Sequence, residues 1–338
     1  MSEQIARLNA LVPQMAGRRV MVVGDVLLDE YLIGETQRLS REAPIPVIEL
    51  SERRYIPGGA ANPATNIVAL GGQAHLVGVV GQDESAQRLD VELRQRGIAP
   101  LVVSCTDRPT TRKTRILARM GLRFPQQLAR IDEMSRKPVS ADVEARLGDY
   151  IAAALPEVDA LLFSDYHGGL LTPSLVARVQ VSALAHDLLV TADAQGFLQK
   201  YRGCDLVKCN ADDAAAYLSR PLITDNDFAM AARQLYDQLA LRRAMVITRG
   251  ADGATIATRE VTSHCPAPQV SDVYDTVGAG DTAIAVLTLA CLTDSSTQDA
   301  VMLANIASGI VVRHVGNYAP KSSELLDALA DLADGEES

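Results

Sequence analysis

Six short, continuously apolar runs, separated by stretches of helical spacing, constrain the fold more than any other feature of this 338-residue chain. The first is Arg19–Gly24 (RVMVVG), and similar runs recur at 76–80, 160–164, 188–192, 205–208 and 244–248. A strand without polar alternation is buried on both faces, as happens when helices cover a parallel sheet from either side. Helical patterns fall between the runs, at 60–71, 84–96, 141–154, 173–185, 210–218 and 227–239. The expectation is an α/β fold with a mostly parallel central sheet, whose ligands lie beyond the carboxyl ends of the strands. A short amphipathic helix is expected at 3–16, further helices at 279–292, 298–314 and 322–333, and a disordered acidic tail at 334–338.

Two segments interrupt the alternation. Residues 30–57 hold β-like pieces at 31–34 and 45–50 with no helix between them, and residues 110–132 hold two more at 113–119 and 127–132. Four short strands from two separate insertions predict a small second sheet projecting from the main body, serving as a lid, a dimer surface or both. Internal repeats and flexible linkers are absent from the sequence, so residues 1–338 read as a single domain with two insertions.

Composition narrows the function classes. Hydrophobic residues make up 48% of the chain, enough for a sizeable core, and with no Trp and four Phe that core is aliphatic. A net charge of −10 argues against nucleic-acid binding, which needs a basic surface. The five cysteines are odd in number and form no CxxC pair, as expected of thiols in a reducing cytosol. His264-Cys265 has no partner at metal-ligand spacing, so no zinc site is expected. The N-terminus lacks a signal-peptide core, and the longest apolar stretch, 283–292, is too short to span a bilayer. The expected location is cytoplasmic, without membrane association.

Three motifs carry the chemistry. Asp275-Thr276-Val277-Gly278-Ala279-Gly280-Asp281 runs directly into an apolar helix. Gly278, Ala279 and Gly280 can turn successive backbone N–H groups toward one point, and the start of a helix adds its positive end, which makes an anion hole. Asp281 in the first helical turn then stands where it can take a proton from an acceptor hydroxyl as a phosphoryl group arrives. Alone, the same spacing reads equally well as a helix cap. The second motif is Gly58-Gly59-Ala60-Ala61-Asn62, either a close-approach turn presenting Asn62 to a polyol or a plain capped turn. In the third, Gly24-Asp25-Val26-Leu27-Leu28-Asp29, two carboxylates follow the first strand; they can accept from sugar hydroxyls or simply form a turn.

These motifs, in this order and spacing, resemble the ribokinase-like (PfkB) carbohydrate kinases over about residues 18 to 330. The resemblance implies a three-layer sandwich with a β-sheet lid, and it implies ATP and Mg2+. Within the family, the segment from Ile33-Gly34 through Arg38, Arg41-Glu42-Ala43-Pro44 to Pro46-Val47 is similar to the lid of bacterial D-glycero-β-D-manno-heptose 7-phosphate kinases. Gln126-Gln127, Arg130, Asp132 and Ser164-Asp165-Tyr166 are similar to further pieces of those enzymes. They phosphorylate O1 of a sugar that already bears a phosphate, on the route to a lipopolysaccharide precursor. Some carry a fused nucleotidyltransferase domain, which this chain is expected to lack.

By that resemblance Asp25, Asp29, Gly58, Gly59 and Asn62 face the sugar, with Asp165 nearby; Asp281 is the base and 278–280 the anion hole. Asn210 and Asp213 match the N-x-x-E motif that organises magnesium and phosphate through water. Thr248, Arg249, Gly250 and Gly253 match the loop along the nucleotide, and Asn305 the helix flanking adenine. Asp275 and the Val277 backbone match a monovalent-cation (K+) site, and the lid implies a homodimer. Two departures concern charge. This chain has Gly168 and Gln195 where heptose kinases tend to carry lysines, and a carboxylate shorter by one methylene at Asp213. Arginines 38, 41, 115, 119 or 130 could compensate, and lysine restored at 168 or 195 is expected to lower the KM for a phosphorylated sugar. The alternatives are a ribokinase-like kinase for another sugar or a nucleoside, and a weakened relative that only senses a sugar or nucleotide.

Overall fold

The computed structural model describes residues 2–119, 125–270 and 272–334. From the N-terminus, β1 (Arg19–Gly24) leads into two long strands, β2 (Val26–Leu39) and β3 (Pro46–Gly59), and then into β4 (Gln73–Gly81) and β5 (Ala99–Cys105). A second excursion follows, β6 (Thr111–Arg119) and β7 (Gln126–Glu133). The chain continues through β8 (Ala160–Ser164), β9 (Leu189–Asp193), β10 (Leu206–Asn210), β11 (Ala244–Thr248), β12 (Ala254–Ala257) and β13 (Thr262–Cys265).

Among the described residues these strands make two sheets. The larger has nine strands in the order β13-β12-β11-β10-β9-β8-β1-β4-β5. From β5 to β11 neighbours run parallel, while β12 and β13 close one edge as an antiparallel hairpin. Side chains along a strand point to alternate faces, and β1 feeds a core on each. Val20 and Val22 pack with helices Ala61–Ala69, Ala279–Cys291 and Thr297–Val311. Met21 and Val23 pack with helices Ala141–Ala154, Pro173–Ala185 and Asp225–Gln238. Double burial is why these strands read as unbroken apolar runs. No helix among the described residues is long and apolar enough to cross a membrane.

The smaller sheet, in the order β3-β2-β6-β7, is built from the two insertions. Its strands are longer than the sequence suggests: β2 begins at Val26, directly after β1, and β3 continues to Gly59. Charges on a sheet solvated on one side and site-facing on the other hide the period-2 signal. β7 is exposed along its whole length, and a small cluster of Tyr31, Ile33, Leu117 and Ile56 fastens β2 to β6. The sequence reading also passes over β5, whose run AlaPro-Leu-Val-Val follows a glycine turn, and the four-residue strands β12 and β13, too short to show a pattern. Within the span expected for the lid, 120–124 lie outside the described residues, as do 335–338 of the expected tail; Asp334 closes the final helix, Ser322–Asp334.

Candidate active site

The Asp25 carboxylate lies at the bend between β1 and β2, beyond the carboxyl end of the main sheet. It is 8% exposed and accepts from the backbone N–H groups of Gly168 (2.8 Å), Tyr166 (3.0 Å) and Leu170 (3.3 Å). Burial raises its pKa, while those donors pull it down. Antiparallel pairing of β2 with β3 sets Val26 opposite Gly59 and Leu27 opposite Gly58, so the first and second motifs meet. A Cβ on Gly58 would come within 2.3 Å of Asp29 Oδ2, which is why that position holds no side chain. Asp29 in turn is ion-paired with Arg115 of β6 and accepts from Asn317 Nδ2 at 2.7 Å. Asp165 is buried differently. Its carboxylate meets Lys200 Nζ at 2.5 Å and Tyr201 OH at 2.7 Å, bracing the loop that carries Tyr166 and Gly168.

Gly278 starts the helix Ala279–Cys291 at φ 86° with no side-chain cap, Ala279 N donating to Thr276 O at 3.4 Å. The Asp281 carboxylate stands at this helix start, 5% exposed. One oxygen accepts from Asn62 Nδ2 at 2.8 Å and the other from Tyr166 OH at 2.5 Å. Asn62 also reaches Asn317 Oδ1 (3.3 Å), and Asn317 reaches Asp29, so a chain of hydrogen bonds joins the two aspartates. Burial, and then the neighbouring Asp193 charge, raise the Asp281 pKa to about 6. A helix cap would not require a buried carboxylate joined to two other motifs. A base held between polyol-type ligands and a helix start without a side-chain cap can deprotonate a hydroxyl beside an incoming phosphoryl group.

The pfkB family carbohydrate kinase model matches residues 18–324. This chain belongs to the pfkB family of carbohydrate kinases. D-beta-D-heptose 7-phosphate kinase of Bordetella bronchiseptica is 38% identical over 314 residues, covering 92% of this chain and 96% of that one. The bifunctional protein HldE of Hyphomonas neptunium is 35% identical over 327 residues, 96% of this chain, and this chain spans only 66% of that protein's length. Phosphofructokinase-2 from Escherichia coli, solved in complex with potassium, superposes with a TM-score of 0.77 at 19% identity, covering 94% of this chain and 99% of that one. That likeness establishes the ribokinase-like fold.

In this pfkB-family kinase the residues expected along a nucleotide lie in a more open part of the structure. Asn210 ends β10 and caps the helix Ala211–Leu218 through the Asp213 N–H (2.7 Å), while Asp213 Oδ1 accepts from Gly196 N at 3.1 Å. Both sit at the solvent edge, where a magnesium ion could keep its waters. Thr248 closes β11, and its hydroxyl donates to Cys209 O (3.3 Å). The Arg249 guanidinium is drawn away, onto Asp225 (2.7 Å) and over the Phe228 ring, which leaves its backbone to line the loop. Gly250 and Gly253 both have positive φ, and Gly253 packs against the Cys265 carbonyl. Asn305 donates to the carbonyls of Cys265 (3.0 Å) and Pro266 (3.3 Å), so it shapes the wall after β13. Asp275 accepts from Val277 N (3.0 Å) and Gly316 N (2.9 Å), clasping two loops together.

Several members of this constellation lie outside the three sequence motifs. Asn317 lies in an irregular loop with no motif around it. Asn66 donates to Asn62 Oδ1 (3.1 Å) and accepts from Thr282 Oγ1 (2.8 Å); its spacing of four from Asn62 on an apolar helix is a usable cue. Of the five arginines expected to compensate, Arg115 is 8% exposed, whereas Arg130, its register partner on the exposed edge strand β7, pairs with Asp132. Lys113, on the same strand, holds its ammonium 5.4 Å from the centre of the Tyr166 ring, and burial lowers its pKa. Gly168 has no room for a side chain, because a Cβ would come within 2.6 Å of Asp25 Oδ1. The lysine expected to strengthen binding from that position is therefore excluded sterically.

Proposed function

We propose that this enzyme transfers the γ-phosphoryl group of ATP to O1 of a heptose that already bears a phosphate. The observation that carries the proposal is the buried Asp281 at an uncapped helix start, joined through Asn62 and Asn317 to Asp29. In this reading Asp25, Asp29 and Asn62 orient the sugar, and Asp281 takes the proton of the attacking hydroxyl. The backbone of 278–280 receives the charge that develops on the phosphoryl group. Asn210 and Asp213, at the solvent edge, would hold a hydrated Mg2+ through its waters, and that ion would supply positive charge against the developing charge of the leaving group. A monovalent cation is assigned to the Asp275–Val277 loop, whose carboxylate keeps lone pairs beyond the two backbone donors. The heptose assignment is supported by the name of the Bordetella relative, and acceptance of an anionic sugar by Lys113 and Arg115, which the small sheet brings over Tyr166 and Asp29.

A coupled assay with a sugar panel tests this reading. Heptose 7-phosphate is expected to exceed ribose, fructose and unphosphorylated heptose in kcat/KM by about tenfold or more, the worth of roughly one charge-assisted contact. Chelating magnesium should abolish turnover, and K+ should support it better than Na+. An equal or better rate with an unphosphorylated sugar removes the heptose assignment, and no transfer to any sugar removes the kinase reading.

We further propose a homodimer formed through the lid. The sheet leaves β3 and β7 as open edges, and Leu39, Leu50 and Ile131 are each more than half exposed on it. Open edges and apolar exposure are what pairing with a second copy would cover. Sedimentation at micromolar concentration is expected to give a dimer, and introducing Glu at Leu50 and Ile131 together to give a monomer. A wild-type monomer under those conditions sinks the proposal.

A further inference from the structure

Lys208 and Asp193 form a buried ion pair that the reading above leaves unused. They are register partners on β10 and β9, and the Lys208 ammonium lies 2.8 and 2.7 Å from the two Asp193 oxygens. Exposures are 4% and 6%, in a strand whose neighbours Leu206, Val207 and Cys209 are fully buried and uncharged. Packing alone does not call for such a pair, since an apolar pair of similar volume is often at least as stable. Its place at the site does. A Cβ on Gly280 would come 3.1 Å from Lys208 Nζ, so the ammonium rests against the second residue of the helix that carries the anion hole and the base. Asp165, Asp213 and Asp281 surround the pair closely enough to act on it electrostatically.

We propose that Lys208 is the cation of the anion hole, and that Asp193 positions it. This inference rests on the kinase reading and adds a residue to it. Backbone N–H groups are neutral donors, and an enclosure with four carboxylates repels a phosphoryl group unless fixed positive charge is present. An ammonium has three donors; Asp193 takes two, and among the described residues no other partner takes the third. That proton can meet a phosphoryl oxygen beside Gly280. Lys208 takes no part in the proton transfer. The bond between the γ-phosphorus and its bridging oxygen breaks, the acceptor O–P bond forms, and the hydroxyl proton goes to Asp281. The arrangement also accounts for Gln195, because the neighbouring strand delivers an ammonium to the same aspartate.

The test uses the full chain and three variants. Lys208→Met keeps length and removes the charge, Lys208→Arg keeps the charge, and Asp193→Asn with Lys208→Met removes both charges so that no buried carboxylate is left unpaired. Calorimetric titration with AMP-PNP and with ADP, both with magnesium, separates a γ-phosphate contact from a general defect. Lys208→Met is expected to lose about ten- to a hundredfold in AMP-PNP affinity, with ADP affinity nearly unchanged. Its kcat should fall by about a hundredfold or more, as for a lost oxyanion-hole donor, at little change in sugar KM. Lys208→Arg should recover part of this, and the double variant should melt like wild type yet stay slow. Equal losses for AMP-PNP and ADP, or a double variant with wild-type kcat, overturn the role of Lys208. Wild-type transfer on the sugar panel judges the kinase reading separately.

Discussion

Asp281→Asn is expected to lower kcat by about 10²–10⁴-fold, the usual contribution of a positioned general base, while fold and ATP affinity stay close to wild type. The geometry explains why the substitution is so selective. The carboxylate accepts one hydrogen bond from Asn62 and one from Tyr166. An amide fits the same space with its oxygen toward Asn62, and its NH2 toward Tyr166, whose hydroxyl can turn from donor to acceptor. Packing is retained and only the basic oxygen is lost. The pH profile gives a second readout. Burial and the Asp193 charge raise the Asp281 pKa to about 6, and the groups facing its carboxylate are Tyr166, Asn62, Asp193 and Lys208. A base works deprotonated, so kcat/KM should fall as pH drops below about 6, by about tenfold per unit, and level off above it. The Asn variant should lack that acid limb. A variant retaining a tenth or more of wild-type kcat at saturating sugar would remove Asp281 from the role of base.

The parallel sheet was legible because double burial writes each strand as an apolar run, and β1, β4, β8, β9, β10 and β11 all carry that signature. The helix start at Gly278 was legible because the glycine spacing runs directly into an apolar helix, although the spacing alone does not separate an anion hole from a helix cap. What escaped reading was whatever depends on register or on loops. Asn317 comes to Asp29 across 288 positions of sequence, from a segment with no pattern. Lys208 looks like one charge at the end of a strand until the pairing of β9 with β10 sets it on Asp193. Arg115 and Arg130 are register partners on one face of the small sheet, and they differ because β6 is interior while β7 is the exposed edge, a distinction of strand order that the sequence does not carry. Asp165 carries the right residue type at the right strand end, yet Lys200 and Tyr201 claim its carboxylate.

Gly168→Lys is expected to lower kcat/KM for the sugar by about a hundredfold or more, the reverse of what the sequence comparison with heptose kinases suggests. A Cβ at this position meets Asp25 Oδ1 at 2.6 Å and the carboxyl carbon at 2.7 Å, and that carboxylate is held by three backbone N–H groups. Either Asp25 swings away or the loop from Tyr166 to Leu170 withdraws. Both movements break the bonds from Gly168 N and Tyr166 N to the carboxylate. Each charge-assisted bond is worth about 1.5–3 kcal/mol, so losing two costs about 3–6 kcal/mol before any new contact forms. Withdrawing the loop also moves Tyr166 off Asp281, which couples the sugar contact to the base. Gly168→Ala isolates the cause, because it adds the colliding atom without the charge, and most of the loss should already appear there. Gln195→Lys serves as the contrast. Position 195 is half-buried on the turn after β9, beside Gly196, whose N–H is held by Asp213, and lysine there adds charge without displacing Asp25. If Gly168→Lys instead improves KM for a phosphorylated sugar, the loop is softer than its three bonds to Asp25 imply, and Asp25 is not the fixed ligand assigned to it.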